Sequence, residues 1–398
     1  MNILFLTSRA PYPPVGGERL RAFHFISALA RQHRVTLLSF VAGAQEAEAL
    51  QPVKKYVARC ETVLLEPRRS YLNCLLGLFS KKPLQVHYYR SRAMRRLIRR
   101  VLKEEAFDLI FVHLVRMADY LDAMNGLPKI MDLTDALSLT YERSAAYQHR
   151  HGLSAYNLAQ RVERRRVRAY ETATLERFDC NLLISASDRD YLSRFAATDN
   201  VQIIGPGVNL DYFTFYDGPY DANTIIFMGK MSTFPNQDAA LYFYESMLPL
   251  ALRRFPRVQF EIVGIEPGAA IQALRRHPNV RVTGYVPDVR PYLQNAVLSV
   301  CPMRTGAGAK NKVLESLAVG TPVVATPLGV EGIDLSHEDE VMIADTPEQF
   351  VERMARIIES PQLRRELSRK GRRLIEEHYS WELVMERLNR LVESYYVR

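Results

Sequence analysis

Short apolar runs alternate with amphipathic stretches along most of the chain. In the first half, Ile3–Thr7 and Val35–Phe40 are apolar and partly β-branched, and Arg19–Arg31 between them has helical periodicity. The same pattern predicts strands at Thr62–Leu65, Leu109–His113, Lys129–Leu133, Cys180–Ser185 and Val201–Ile204. The rhythm then repeats with strands at Thr224–Met228, Gln259–Gly264, Val280–Thr283, Leu298–Cys301 and Pro322–Thr326. Helical segments separate most of these, among them Asp238–Leu252 and Lys312–Ala318. Such alternation predicts an α/β fold of parallel sheets with helices on both faces.

Between the two series, Gly205-Pro-Gly-Val-Asn-Leu-Asp-Tyr-Phe213 to Gly218-Pro219 is rich in turn formers. The boundary falls there, giving two doubly wound domains, 1–205 and 206–375. From Pro347 on, the pattern predicts three helices, with the single tryptophan, Trp381, on the last. The segment 376–398 is expected to pack back toward the first domain. A chain of 398 residues suits this number of domains.

Composition narrows the class. Hydrophobic residues at 47% and charged residues at 24% exclude a disordered or fibrous chain. A formal charge of +9 implies an anionic partner: a phosphorylated small molecule, nucleic acid or anionic lipid. No nucleic-acid module is visible and the basic residues are not interleaved with aromatics, so nucleic acid is not expected. Cys60, Cys74, Cys180 and Cys301 form no C-x-x-C pair, which excludes a zinc ribbon and suits a reducing compartment. The opening residues read as a strand and no run reaches 18 apolar residues, so a soluble cytoplasmic protein is expected.

The strongest chemical signal is Arg304-Thr-Gly-Ala-Gly-Ala-Lys-Asn-Lys-Val-Leu-Glu315, which follows a strand and opens a helix. Gly306 and Gly308 let the backbone approach a ligand closely. Helix-start N–H groups with Lys310 and Lys312 suit a diphosphate, and Glu315, one turn in, suits ribose hydroxyls. The loop lacks the Gly-Lys-Ser/Thr ending of a Walker motif. Gly16-Gly17 after the first strand is not the G-x-G-x-x-G of a dehydrogenase.

The run K-V-L-E-S-L-A-V-G-T-P-V-V-A-T (312–326) resembles the donor-binding signature of retaining GT-B glycosyltransferases of family 4. Gly16-Gly17, Phe227-Met-Gly229-Lys230, Val263-Gly264, Val282-Thr-Gly-Tyr-Val286 and Tyr379-Ser-Trp381 fit that resemblance. It covers essentially the whole chain and is strongest after residue 200, with bacterial enzymes of exopolysaccharide or surface-glycan synthesis most similar. It implies two Rossmann-like domains facing a cleft, the first on the acceptor side and the second binding a nucleotide diphosphate-sugar. It also implies transfer with retention, without metal or cofactor, to a glycan or polyprenyl-linked acceptor. Gly16, Gly17, Gly229, Arg304, Gly306, Ala307, Gly308, Lys310, Val313, Leu314 and Glu315 would line the donor. Lys230 and Lys312 would meet the phosphates. Asp108-Leu-Ile-Phe-Val-His113 resembles the family's strand ending in an active-site His that orients the donor sugar.

Two departures stand out. Ser232-Thr-Phe-Pro-Asn236 lacks a second phosphate lysine, a role that passes to Lys310 or Lys312. Ala307 occupies a position where many members carry a glutamate, which keeps open a catalytically silent relative that binds a sugar nucleotide or scaffolds a glycan-assembly complex. Asp132 and Asp135 at a strand end suit acceptor hydroxyls or, for one of them, a helix cap. Arg9 is placed to reach phosphate or acceptor. His149 and His151 have ligand-like spacing but no third partner, so no metal site is expected.

The region 70–103 has a further pattern. Basic residues at 92, 95, 96, 99, 100 and 103 share one helix face, opposite Ala93, Met94, Leu97, Ile98, Val101 and Leu102. The apolar run Tyr71–Phe79, followed by Lys81-Lys82, precedes it. This is either an ordinary core helix or a peripheral contact with an anionic membrane surface.

Overall fold

The structure is a computed structural model that describes residues 1–123, 126–148 and 155–395. The backbone separates into two units, 1–205 with 384–398, and 206–383. Each is built on one parallel sheet, so the expected pair of doubly wound sheets is present.

Among the described residues, the sheet of unit 1 has seven strands: β1 Asn2–Thr7, β2 Arg34–Val41, β3 Arg59–Leu64, β4 Leu109–His113, β5 Lys129–Thr134, β6 Cys180–Leu183 and β7 Val201–Ile203. Their order is β3-β2-β1-β4-β5-β6-β7. β1 and β4 pair in register from Ile3↔Leu109 to Thr7↔His113. Both are almost wholly buried, as near-continuous apolar strands covered on two faces must be. Phe5 stacks on Phe111 at 4.8 Å, and Phe25 from the helix Gly17–Gln32 meets Phe111 edge-on.

Unit 2 has six strands: β8 Asp221–Met228, β9 Gln259–Val263, β10 Val280–Gly284, β11 Ala296–Cys301, β12 Val323–Ala325 and β13 Met342–Ile343. Their order is β10-β9-β8-β11-β12-β13. The two-residue β13 is too short to leave a periodic signal. The single helix expected over Asp238–Leu252 is instead Phe234–Tyr242, a π turn Phe243–Met247 and the helix Leu248–Arg254. Pro249 explains the interruption: it has no N–H to continue the regular ladder, and the turn before it widens. Three helices follow, Pro347–Glu359, Pro361–His378 and Trp381–Glu393, with Trp381 opening the last.

The basic helix forms over Arg92–Glu104, capped by Ser91. Its apolar face, Met94, Leu97, Ile98 and Val101, is buried in unit 1 and therefore not available to a membrane. Acids on neighbouring elements pair with its basic face: Asp119 with Arg95, and Glu61 with Arg100.

Candidate functional site

Each sheet has one point where the strand order changes direction, and the residues singled out from the sequence gather at the two points. In unit 2 the point lies between β8 and β11. Gly229 and Lys230 follow β8, and residues 302–310 lead from β11 to the helix Asn311–Val319. In unit 1 it lies between β1 and β4, where Arg9, Gly16 and Gly17 follow one strand and His113 ends the other. Open α/β sheets bind ligands at these points, beyond the C-terminal ends of the strands.

The unit 2 site starts from a close backbone crossing. Gly229 N–H donates to Val263 O at 3.0 Å, and a Cβ on Gly264 would lie 1.7 Å from Gly229 O. Only glycine fits at 264. In the loop after β11, Gly306 and Gly308 have φ of 100° and 69°, left-handed values that side chains disfavour.

Lys312 stands over this crossing. Its Nζ donates to Asn236 Oδ1 at 2.6 Å, lies 4.2 Å from the centroid of the Phe227 ring, and would be 3.1 Å from a Cβ on Gly229. Burial lowers the pKa of this ammonium to about 8. Glu315, one turn further along, has no hydrogen-bond partner among the described residues. Burial pushes its carboxyl up to about 7, with Lys312 pulling the other way. Val313 and Leu314 between them point into the core and fix the helix. An ammonium and an unengaged carboxylate thus share one half-buried surface, suited to a ligand that carries both anionic oxygens and hydroxyls.

The remaining basic residues are tied down differently. Lys230 pairs with Glu266 at 3.0 Å on an exposed edge, and Ser232 Oγ donates to the same carboxylate at 2.6 Å. Arg304 makes a forked bond to Asp238 at 2.7 and 3.2 Å and lies 3.9 Å above the Tyr242 ring. Lys310 folds back onto the carbonyls of Ala307, at 3.1 Å, and Gly308, so its ammonium holds the loop's own shape. Asn236, Asp238 and Glu266 carry no motif of their own. Each acts on a basic residue distant in sequence, and only the chain's path brings them together.

In unit 1, His113 is buried at the end of β4. Its Nδ1 lies 2.9 Å from Asp132 Oδ2 and its Nε2 lies 3.1 Å from Glu18 O. The ring is thus held at both nitrogens, by a carboxylate on one side and a backbone carbonyl on the other. Asp132, fully buried, also accepts from Arg21 Nε at 3.0 and 3.1 Å. Burial alone would raise its pKa, but Arg21 and His113 hold it at about 2. At the start of the helix Leu137–Gln148, Glu171 accepts from the N–H groups of Leu137 and Ser138 at 2.7 and 3.0 Å. Burial pushes the Glu171 carboxyl up to about 8. Arg21, Glu18 and Glu171 were not singled out from the sequence, where each reads as an ordinary charge on a helix.

A cavity of about 560 Å³ opens beyond β1 and β2, lined by Ser8, Arg9, Arg19, Glu46, Tyr89 and Arg116 among others. Arg9 Nε donates to Tyr89 Oη at 3.1 Å and Arg116 Nε to Ser8 Oγ at 2.9 Å, while Arg19 pairs with Glu46. Arg116 also pairs with Glu18, which connects the cavity wall to the His113 cluster. Among the described residues, no three His, Cys, Asp or Glu side chains cluster to hold a metal, and no helix is long and apolar enough to cross a membrane. His149 and His151 lie outside the described residues.

Comparison with known proteins gives matches in both units. Residues 15–212 match the family described as Glycosyltransferase Family 4, and residues 222–360 match Glycosyl transferases group 1. A curated relative, glycosyltransferase 1 domain-containing protein 1 of Xenopus tropicalis, is 29% identical over 76 residues, which are 19% of this chain and 22% of that protein. Among solved structures, a sucrose-phosphate synthase from Thermosynechococcus elongatus superposes with a TM-score of 0.70 at 18% identity, covering 100% of this chain and 99% of that one. Anabaena HepE in complex with UDP and glucose gives 0.67 at 14% identity, covering 99% and 100%. WaaG, a glycosyltransferase involved in lipopolysaccharide biosynthesis, gives 0.66 at 18% identity, covering 97% and 98%.

Proposed function

We propose that this chain, a glycosyltransferase of the GT-B fold, moves a sugar from a nucleotide diphosphate-sugar to a glycan or lipid-linked acceptor in surface polysaccharide synthesis. In the reaction, the bond from the anomeric carbon to the diphosphate oxygen breaks and a bond to an acceptor hydroxyl oxygen forms on the same face. The configuration is retained, and the acceptor proton leaves with the nucleoside diphosphate or to solvent. The donor site is assigned to unit 2 and the acceptor side to unit 1, in the cytoplasm.

The observation that carries this reading is the Lys312–Glu315 pair at the strand-order change of unit 2. The leaving diphosphate gains negative charge as the glycosidic bond breaks. A fixed ammonium and the N–H groups opening the helix Asn311–Val319 lower the barrier because they are oriented before that charge develops. Lys230 joins them once its exposed pairing with Glu266 gives way. No metal is needed for that charge in this reading. Glu315 takes the ribose hydroxyls. His113 supports the sugar side, and Arg9 and Asp135 the acceptor side. Asp132 acts at one remove, by fixing His113 and Arg21. HepE binds UDP and UDP-glucose, which makes uridine nucleotides the first donors to test.

Ala307 favours a second reading, a silent relative that binds the nucleotide sugar without transferring it. One experiment separates the two. Thermal shift against UDP, GDP, ADP and dTDP sugars identifies the nucleotide, and release of free nucleoside diphosphate from the stabilising sugar then reports turnover. Stabilisation with slow hydrolysis supports transfer. Stabilisation with no hydrolysis supports the silent relative, and no stabilisation by any of them refutes both.

A further inference from the structure

The helix Pro67–Leu76 and the turn Gly77–Phe79 hold an unusual surface. Tyr71, Leu72, Leu75, Leu76, Leu78 and Phe79 are all exposed, with Phe79 99% accessible and Leu76 73%. Leu72, Leu75, Leu76 and Phe79 follow helical spacing, so they form one stripe. The backbone beneath them is fixed. Asn73 Nδ2 donates to Arg90 O at 2.9 Å, Arg166 donates to Leu78 O, and Gly77 packs so tightly that a Cβ there would lie 2.5 Å from the His87 ring. These apolar side chains are therefore held in solvent by a built scaffold, and a patch of this kind marks a docking surface.

Charge identifies the occupant. Arg68 and Arg69 precede the stripe and Lys81 and Lys82 follow it, all exposed. Asp119 accepts from both Lys82 and Arg95, which sets the basic helix Arg92–Glu104 beside the turn. Arg92, Arg96 and Arg99 are exposed along that helix. A second copy of this chain would bring like charges together around a symmetric contact. An anionic bilayer complements both parts, taking the leucines and Phe79 below its headgroups and the cations among them.

We infer that unit 1 docks on anionic membrane through residues 68–82, with Arg92, Arg96 and Arg99 contacting headgroups. The inner side of the same scaffold, Cys74, Leu84, Gln85 and Tyr88, lines the cavity that holds Arg9 and Arg116. Docking thus puts that cavity next to the membrane, where it receives the head of a lipid-borne acceptor. This last clause rests on the transferase reading above, whereas docking itself does not.

Flotation of the full chain with phosphatidylcholine vesicles, with and without phosphatidylglycerol, tests docking. Wild type floats only with the anionic vesicles and less as salt rises. Arg96→Gln with Arg99→Gln lowers partitioning about thirty-fold, about five-fold per cation. Leu76→Ser with Phe79→Ser lowers it by about ten-fold or more. All these side chains are exposed, so melting temperature and nucleotide-induced thermal shift stay at wild-type values. A failure of that thermal shift in wild type would instead count against the transferase reading. Equal flotation with neutral vesicles, no flotation at low salt, or wild-type flotation of the serine variant overturns the docking inference. A wild-type dimer that the serine variant splits, with no flotation, assigns the patch to a second copy and overturns it too.

Discussion

Removing the charge of Lys312 tests the proposed donor site most directly. Its ammonium is fixed by Asn236 at 2.6 Å and by the Phe227 ring at 4.2 Å, so it cannot swing away to water without breaking both contacts. A phosphate oxygen about 4 Å away would gain about 4 kcal/mol per charge pair at an effective dielectric near 20. Part of that attraction offsets the remaining desolvation of an ammonium already depressed to about 8. With about 2–3 kcal/mol surviving, Lys312→Met lowers UDP-glucose affinity on the order of 10²-fold. Uridine, which lacks phosphate, loses little. Calorimetric titration with UDP-glucose across a pH series adds a second signature, because that ligand's diphosphate does not titrate near neutrality. Glu315 is raised to about 7, so it is protonated and a poorer acceptor below that pH. Lys312 loses its proton above about 8. Wild-type affinity therefore rises through about 7 and falls through about 8. Glu315→Gln removes the acid limb with a loss of about 1.5–3 kcal/mol, and Lys312→Met removes the basic one. A flat profile, or Lys312→Met within a few-fold of wild type, refutes the assignment.

Three further outcomes follow from the geometry. Asp132 has a depressed pKa of about 2, so its stabilising effect is complete above the ordinary carboxylate value near 4 and disappears as pH falls toward 2. At neutral pH, Asp132→Asn leaves Arg21 buried without its counter-charge and costs about 3–5 kcal/mol; a denaturant melt unchanged from wild type contradicts this. Gly264→Ala drives a Cβ to 1.7 Å from Gly229 O and costs about 3 kcal/mol or more, visible as lost solubility or a lower melting temperature together with lost UDP-glucose binding. His113→Ala lowers turnover at least about ten-fold while UDP-glucose affinity stays within a few-fold, a kcat effect without a matching KM effect. A collapse of affinity in a folded variant would move His113 out of its assigned role.

How far the sequence reaches is decided by the range of the interaction. Strands such as Leu109–His113 and helices such as Asn311–Val319 are visible because their apolar period is written in consecutive residues. The Gly306–Gly308 loop is visible because positive φ selects glycine locally. The partners that give the site its electrostatics are another matter. Arg304 meets Asp238 across 66 positions, and Arg21 meets Asp132 across 111, with no local signal for either pairing. The basic helix at Arg92 was readable as amphipathic, but which side of it faces the protein was not. That choice fell to the core, and the exposed apolar surface lies on the segment before it.

The path of the chain has a consequence for biosynthesis. Unit 1 includes residues 384–398, and there Leu388 and Val392 are fully buried and Tyr395 Oη donates to Asp179 O at 3.3 Å. The ribosome must therefore make all of unit 2 before unit 1 can close. At about 5–20 residues per second, the roughly 180 intervening residues take roughly ten to forty seconds. Through that interval the nascent first unit carries an uncovered seam where Leu388 and Val392 will sit. A stalled or clipped chain ending before residue 384 keeps that seam open, and chaperones and proteases meet it there first.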